Sequence, residues 1–133
     1  MSKENVELAR RLLEAFGTRD LKAVLAIADP RIVFFLPTAI VAERKSTYRG
    51  HDGIRLYFDD VARLWEEVEL IPGEYRDGGD FVVAVGSVRA RTTTGDKVDT
   101  EVAWAWEIRD GRVVWGRVYA DPADALADTG LGE

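Results

Sequence analysis

The chain reads as an α+β domain, in which N-terminal helices pack on a curved antiparallel sheet. Three observations predict this. Apolar residues recur at helical spacing in the first half, and from Val68 onward the period changes to two. The alternating runs are separated by "RDGGD", "TTGD" and "RDGR", turn sequences rich in residues that accept positive φ. Helices first and a strand meander after is the order expected of an α+β domain. A chain of 133 residues is expected to form one domain, 1–133, around one core.

The elements follow in order. Val6, Ala9, Leu12, Leu13 and Phe16 share one helix face, with Glu4 and Glu7 in the first turn and Gly17 just after the last apolar position. Asp20 stands where a side-chain cap is wanted, ahead of Leu21, Val24, Leu25 and Ala28, and Asp29-Pro30 is expected to end this short second helix. "RIVFFLP" reads as a brief strand closed by Pro37, and Thr38 to Arg49 as a loop with a short strand around Lys45 to Tyr48. After "GHDG", Ile54, Tyr57, Phe58, Val61, Leu64 and Trp65 give a third helix with one broad buried face. Four strands are expected near Val68 to Tyr75, Phe81 to Arg91, Val98 to Ile108 and Arg112 to Ala120.

Composition narrows the function classes. The formal charge of −6, with no lysine or arginine cluster to offset it, argues against nucleic acid or an anionic membrane as partner. Cysteine is absent, which excludes disulfides and thiolate chemistry and fits a reducing compartment. The start "MSKENVELARR" lacks the pattern of a signal peptide and no run approaches the ~20 apolar residues of a membrane span, so a cytoplasmic protein is expected. One histidine and no tight carboxylate cluster leave no metal site to expect. "GGD" and "TTGD" are hairpin turns, not strand-to-helix phosphate loops, and no cofactor is expected.

The order of elements, with "LEAFGTRDLKAVLAIADP", "YRGHDGIRLYF" and "DGRVVWGRVYADP", resembles the nuclear transport factor 2-like superfamily over nearly the whole chain. That group includes ketosteroid isomerase, limonene epoxide hydrolase, scytalone dehydratase and the SnoaL-like polyketide cyclases. The resemblance implies the cone and a pocket within it, but the fold hosts unrelated chemistries as well as binders. Set against a ketosteroid isomerase pattern, the oxyanion-holding and base positions fall on Leu12, Leu36 and Trp104, none of which performs that proton transfer. The histidine and aspartate of the SnoaL-like cyclases fall on Gly116 and Val118. The arginine and aspartates of limonene epoxide hydrolase fall on Val85, Ser87 and Val118.

Strand alternation then sorts the side chains. The concave face is expected to receive Val85, Ser87 and Arg89, then Val102, Trp104 and Trp106, then Val114, Gly116, Val118 and Ala120. Facing them are Leu12, Phe16, Phe34, Leu36, Tyr57, Val61 and Trp65. The expected ligand site is therefore Phe16, Phe34, Leu36, Tyr57, Val61, Trp65, Ser87, Arg89, Trp104, Trp106 and Val118, an aromatic-walled cavity for a hydrophobic small molecule. The same tryptophans read equally well as core filler. Gly116 and Ala120, small residues opposite bulky ones, favour a cavity.

The convex set is Ala84, Gly86, Val88 and Ala90, then Glu101, Ala103, Ala105 and Glu107, then Trp115, Arg117, Tyr119 and Asp121. Its small floor at Ala103 and Ala105, flanked by Trp115 and Tyr119, suggests a homodimer through sheet faces, the alternative being a solvated face.

Three residues are candidates for chemistry. His51 is the one side chain expected to titrate near neutrality, although "RGHDG" at a helix start reads as turn chemistry. Arg89 would hold a ligand carboxylate or enolate at the cavity mouth, or simply mark the strand end in solvent. Tyr57 would donate to a ligand oxygen or to a backbone carbonyl. Asp121 before Pro122 reads as a helix cap, and Asp59, Asp60, Glu66 and Glu67 as a solvated flank of the third helix. The expected function is binding of an apolar molecule, with an isomerase, cyclase or dehydratase acting on a hydrophobic carbonyl compound as the alternative.

Overall fold

The computed structural model describes residues 2–36 and 47–131. Its elements are α1 (Ser2–Gly17), α2 (Leu21–Ile27), β1 (Ala28–Phe35), β2 (Thr47–Arg49), α3 (Gly50–Leu64), β3 (Trp65–Gly78), β4 (Phe81–Thr92), β5 (Lys97–Arg109), β6 (Arg112–Tyr119) and α4 (Pro122–Thr129). The six strands form one sheet in the order β2-β1-β6-β5-β4-β3. All neighbours are antiparallel except β1 and β6, which run parallel. The fold is thus the expected α+β cone, a curved and unclosed sheet with the N-terminal helices on its concave face. The expected end of β1 at Pro37 and the loop from Thr38 lie outside the described residues.

Local chemistry explains most boundaries. Asp20 caps α2, its carboxylate accepting from Ala23 N at 3.1 Å. Asp121 caps α4 in the same way, accepting from Ala123 N at 3.0 Å with Pro122 in the first turn. Two boundaries differ from expectation. Asp29-Pro30 lies inside β1, because the chain is already extended from Ala28. Trp65 begins β3 instead of completing α3, as its φ of −122° and ψ of 128° show.

Curvature comes from β3 and β4. The register shifts between Trp65 and Glu67 and again between Pro72 and Glu74, and each shift bends the pair. At the second bend the backbones approach so closely that a side chain on Gly86 would collide with the Ile71 carbonyl and stand 2.9 Å from Pro72 Cα.

Cross-strand pairing decides which side chains face inward. Directly opposed residues share a face, and Val82 pairs with Trp106, Ala84 with Trp104 and Val88 with Thr100. Trp104 and Trp106 point into the core, so the inward set of β4 is Val82, Ala84, Val88 and Ala90, and Val85, Ser87 and Arg89 lie on the convex side. This reverses the expected facing of β4. The cause is visible in burial: Val82, Val83 and Ala84 are all fully buried, so alternation is erased there. On β6 a register shift brings Val113, not Val114, into the main core.

The outer face is not an open floor. Ala125 of α4 packs with Val83, Ala103, Ala105 and Tyr119 into a second small core, with Leu126 and Leu131 at its border. Ala103 and Ala105 are fully buried within one chain, which corrects their expected place in a subunit contact. Tyr119 is buried too, its hydroxyl donating to Asp128 at 3.0 Å. Trp115 remains partly exposed between Phe35 and Phe81.

The base of the cone is one lateral row of paired residues, Tyr48, Phe34, Gly116, Trp106 and Val82. Trp106 stacks on Phe34 and Phe16 at centroid distances of 5.7 and 6.1 Å. Its ring fills the space a side chain on Gly116 would need, and that carbon would also stand 3.2 Å from Phe34. Gly116 therefore admits a tryptophan and opens no cavity. Gly116→Ala should destabilise the protein by roughly 1–3 kcal/mol, since two rigid rings must yield; denaturant unfolding measures this, and unchanged stability would contradict the packing described.

Candidate functional site

Above that aromatic base lies a cavity of about 300 Å³. Its rows follow the sheet: Leu36 and Tyr48 at one side, Val118, Ala120, Trp104 and Val102 at the back, then Thr100, Val98, Val88, Ala90, Leu70 and Val68 toward the opposite edge. Tyr57, Val61 and Leu64 of α3, with Trp65, close the front. No carboxylate, histidine, lysine or arginine is among these described lining residues. Hydroxyls come from Tyr48, Tyr57 and Thr100.

Six of the expected ligand residues line this space: Leu36, Tyr57, Val61, Trp65, Trp104 and Val118. Phe34 and Trp106 sit below it in the aromatic base, and Phe16 borders only a small neighbouring crevice. Ser87 and Arg89 are separated from it by the facing of β4. The Arg89 side chain is 64% exposed and pairs with Asp99 at 3.6 Å. His51 also stands apart: its Nε2 donates to the Ala28 carbonyl at 2.9 Å and ties the start of α3 to β1.

Tyr57 is ringed by Phe16, Phe34, Tyr48 and Phe58, each edge to face with it at 5.4 to 5.9 Å. Its hydroxyl has no hydrogen-bond partner among the described residues. Burial pushes its pKa from 10.0 up to about 12, against a smaller opposing effect of Arg19. The group is thus a phenol that keeps its proton and faces the cavity and the crevice.

Tyr48 is engaged differently, donating to Asp60 Oδ2 at 2.8 Å. Asp60 is 5% exposed and also accepts from Arg63 one turn later on α3. The expected solvated carboxylate is therefore a buried one, held by a phenol and a guanidinium. Helical spacing alone put Asp60 beside Asp59, which is exposed; no local signal marked the difference.

Around the cavity mouth the charges are largely paired. Arg91 meets Glu66 at 3.1 Å and Glu67 at 3.5 Å. Arg19, on the same rim and beside Tyr57 in the crevice, has no ion pair among the described residues. Among those residues no group of three or more His, Asp and Glu side chains is placed to hold a metal ion, and no helix is long and apolar enough to cross a membrane.

A cone of helices on a curved sheet with an apolar cavity between them defines a protein of the nuclear transport factor 2-like superfamily. Within it the chain belongs to the SnoaL-like domain family, whose model matches residues 9–115. Solved structures agree on the fold. A nuclear transport factor 2-like protein of unknown function from Burkholderia pseudomallei is 26% identical, with 93% of this chain and 95% of that one covered and a TM-score of 0.79. TerC, crystallised with polyporic acid, is 22% identical over 96% and 98%, with a TM-score of 0.79. A putative SnoaL-like polyketide cyclase from Jannaschia is 16% identical over 98% and 93%, with a TM-score of 0.76. No curated protein matches the sequence.

The Tyr57 phenol sets a pH dependence. Its folded pKa lies above its unfolded value, so above pH 10 the unfolded chain loses a proton that the native state keeps. Its contribution to stability is complete below pH 10.0 and lost as pH rises through about 12. Tyr119, raised to about 12 by burial and then by its bond to Asp128, adds a second decline of the same sign. Unfolding curves should show stability falling across this window, and falling less in Tyr57→Phe; equal declines in both proteins would remove Tyr57 from the account.

Proposed function

We propose that the protein binds an apolar small molecule in the cone cavity. The observation that carries this reading is a space of about 300 Å³ whose described walls are apolar and aromatic, with a few hydroxyls. Such a site is at the small end of the range for ligand pockets, where shape and apolar contact supply affinity and a few polar groups supply orientation. Crystallisation of the fold neighbour TerC with polyporic acid supports a small-molecule role for cones of this shape. Binding is preferred over turnover because none of the described lining residues is a carboxylate or histidine suited to act as general base.

Trp65 and Trp104 both line the cavity, which makes fluorescence the direct test. Titration with steroid-like, polyketide-like and fatty-acyl compounds should give saturable quenching by at least one class, weakened in Trp104→Phe. A flat response across the panel from folded protein would overturn the reading.

A homodimer through the outer sheet face belongs to the same proposal, on the part that α4 leaves uncovered. There Trp115 lies 6.5 Å from Phe35 and 6.2 Å from Phe81, ring centre to ring centre, and all three are partly exposed. A partly exposed aromatic cluster is the usual anchor of a subunit contact. Sedimentation should find a dimer that Trp115→Arg converts to monomer, and a monomeric parent protein would end the idea.

A further inference from the structure

Resting on the binding reading above, we propose that the ligand is an apolar acid whose carboxylate or enolate is held by Arg19 and the Tyr57 hydroxyl at the crevice beside the cavity.

The crevice is small, about 20 Å³, and is lined by Arg19 and Tyr57 together with Val61, Val68 and Leu70. The last three, and Tyr57, also line the main cavity, so the crevice is its polar extension. One end of the combined site is dry and the other offers a guanidinium and a phenol, both hydrogen-bond donors. A delocalised oxyanion is the group that accepts from both.

Arg19 occupies a position that local structure does not favour for arginine. Asp20 N donates to Ala15 O at 2.8 Å and Arg19 N to Phe16 O at 3.2 Å, the two bonds of a Schellman motif that ends α1. The residue between them must be left-handed, and Arg19 has φ of 59°. α4 ends in the same bond pattern through Gly130 at φ 77°, the residue this geometry prefers. α1 therefore carries a long cationic side chain where glycine would be less strained, and the turn directs it to the crevice.

Neighbouring cations do not substitute for it: Lys97 lines the open rim but not the crevice. Arg89 is paired with Asp99, and Arg91 with Glu66 and Glu67. With a formal net charge of −6, the protein as a whole repels an anion, so acceptance of one requires a local unpaired cation. Tyr57 complements it because it remains protonated and its hydroxyl is otherwise unbonded.

Calorimetry with naphthoate and its methyl ester tests this directly. The parent protein should bind naphthoate about tenfold tighter than the ester, the scale of one charge-assisted contact at a partly exposed site. Arg19→Asn should abolish that preference while leaving ester affinity within about twofold, because asparagine is tolerated at left-handed positions and the fold is kept. Arg19→Lys should retain most of the preference, Tyr57→Phe should reduce it, and Lys97→Gln on the rim should leave it unchanged. Equal binding of acid and ester by the parent protein, or an equal loss in Lys97→Gln, would overturn this inference alone. Binding of neither compound by folded protein would overturn the cavity reading with it.

Discussion

The structure depends on one steric exchange at the base of the cone, where Trp106 occupies the volume that any side chain at Gly116 would need. Parallel pairing of β1 with β6 brings Phe34 beside Gly116, and antiparallel pairing of β5 with β6 brings Trp106 to its other side. The three stacked rings of Phe16, Phe34 and Trp106 then join α1, β1 and β5. The exchange has a cost, since the Trp106 Nε1 proton is buried without a partner among the described residues, a loss of roughly 1–3 kcal/mol. The area buried by an indole in this position outweighs it. Because the base is solid, the empty volume is confined to the upper half of the cone.

The sheet has two buried faces at its centre, and this shapes everything outside the cavity. α4 folds back over Val83, Ala103 and Ala105, turning what reads as a flat outer floor into a second core. The aromatic patch around Trp115, beyond the reach of α4, is left partly open. Polar groups inside the protein are used to fix elements: Asp60 joins α3 to β2 through Tyr48, and His51 joins α3 to β1 through the Ala28 carbonyl. Both bonds tie α3 to the sheet, so each holds the front wall of the cavity in place.

Polarity along the cavity is graded. Its interior is apolar, Tyr57 stands at the transition, and Arg19 and the paired charges of β3, β4 and β5 form the rim. In the binding reading proposed above, such a gradient would orient a ligand with a dry body and one polar end, because reversing it would strand an anion among aromatic rings.

The sequence by itself determined the fold class, the order of the elements and the two carboxylate caps. Those features rest on periodicity and on short-range rules, and Asp20 and Asp121 need only the next few residues to act. It also determined that Trp104, Trp106, Gly116 and Val118 share a face, because the alternation of β5 and of the later part of β6 is unbroken. Tertiary structure alone decided the facing of β4, where burial on both sides hides the period, and the covering of Ala103 and Ala105 by α4. It alone separated Asp60 from its exposed neighbour Asp59, through a partner twelve residues away. It alone placed Arg19 in a left-handed turn beside Tyr57, since Gly17 stands where a local reading ends the helix and the chain turns two residues later. Apart from the α1 turn, whose own bonds are local, the deciding contact in each case joins residues that no local rule connects.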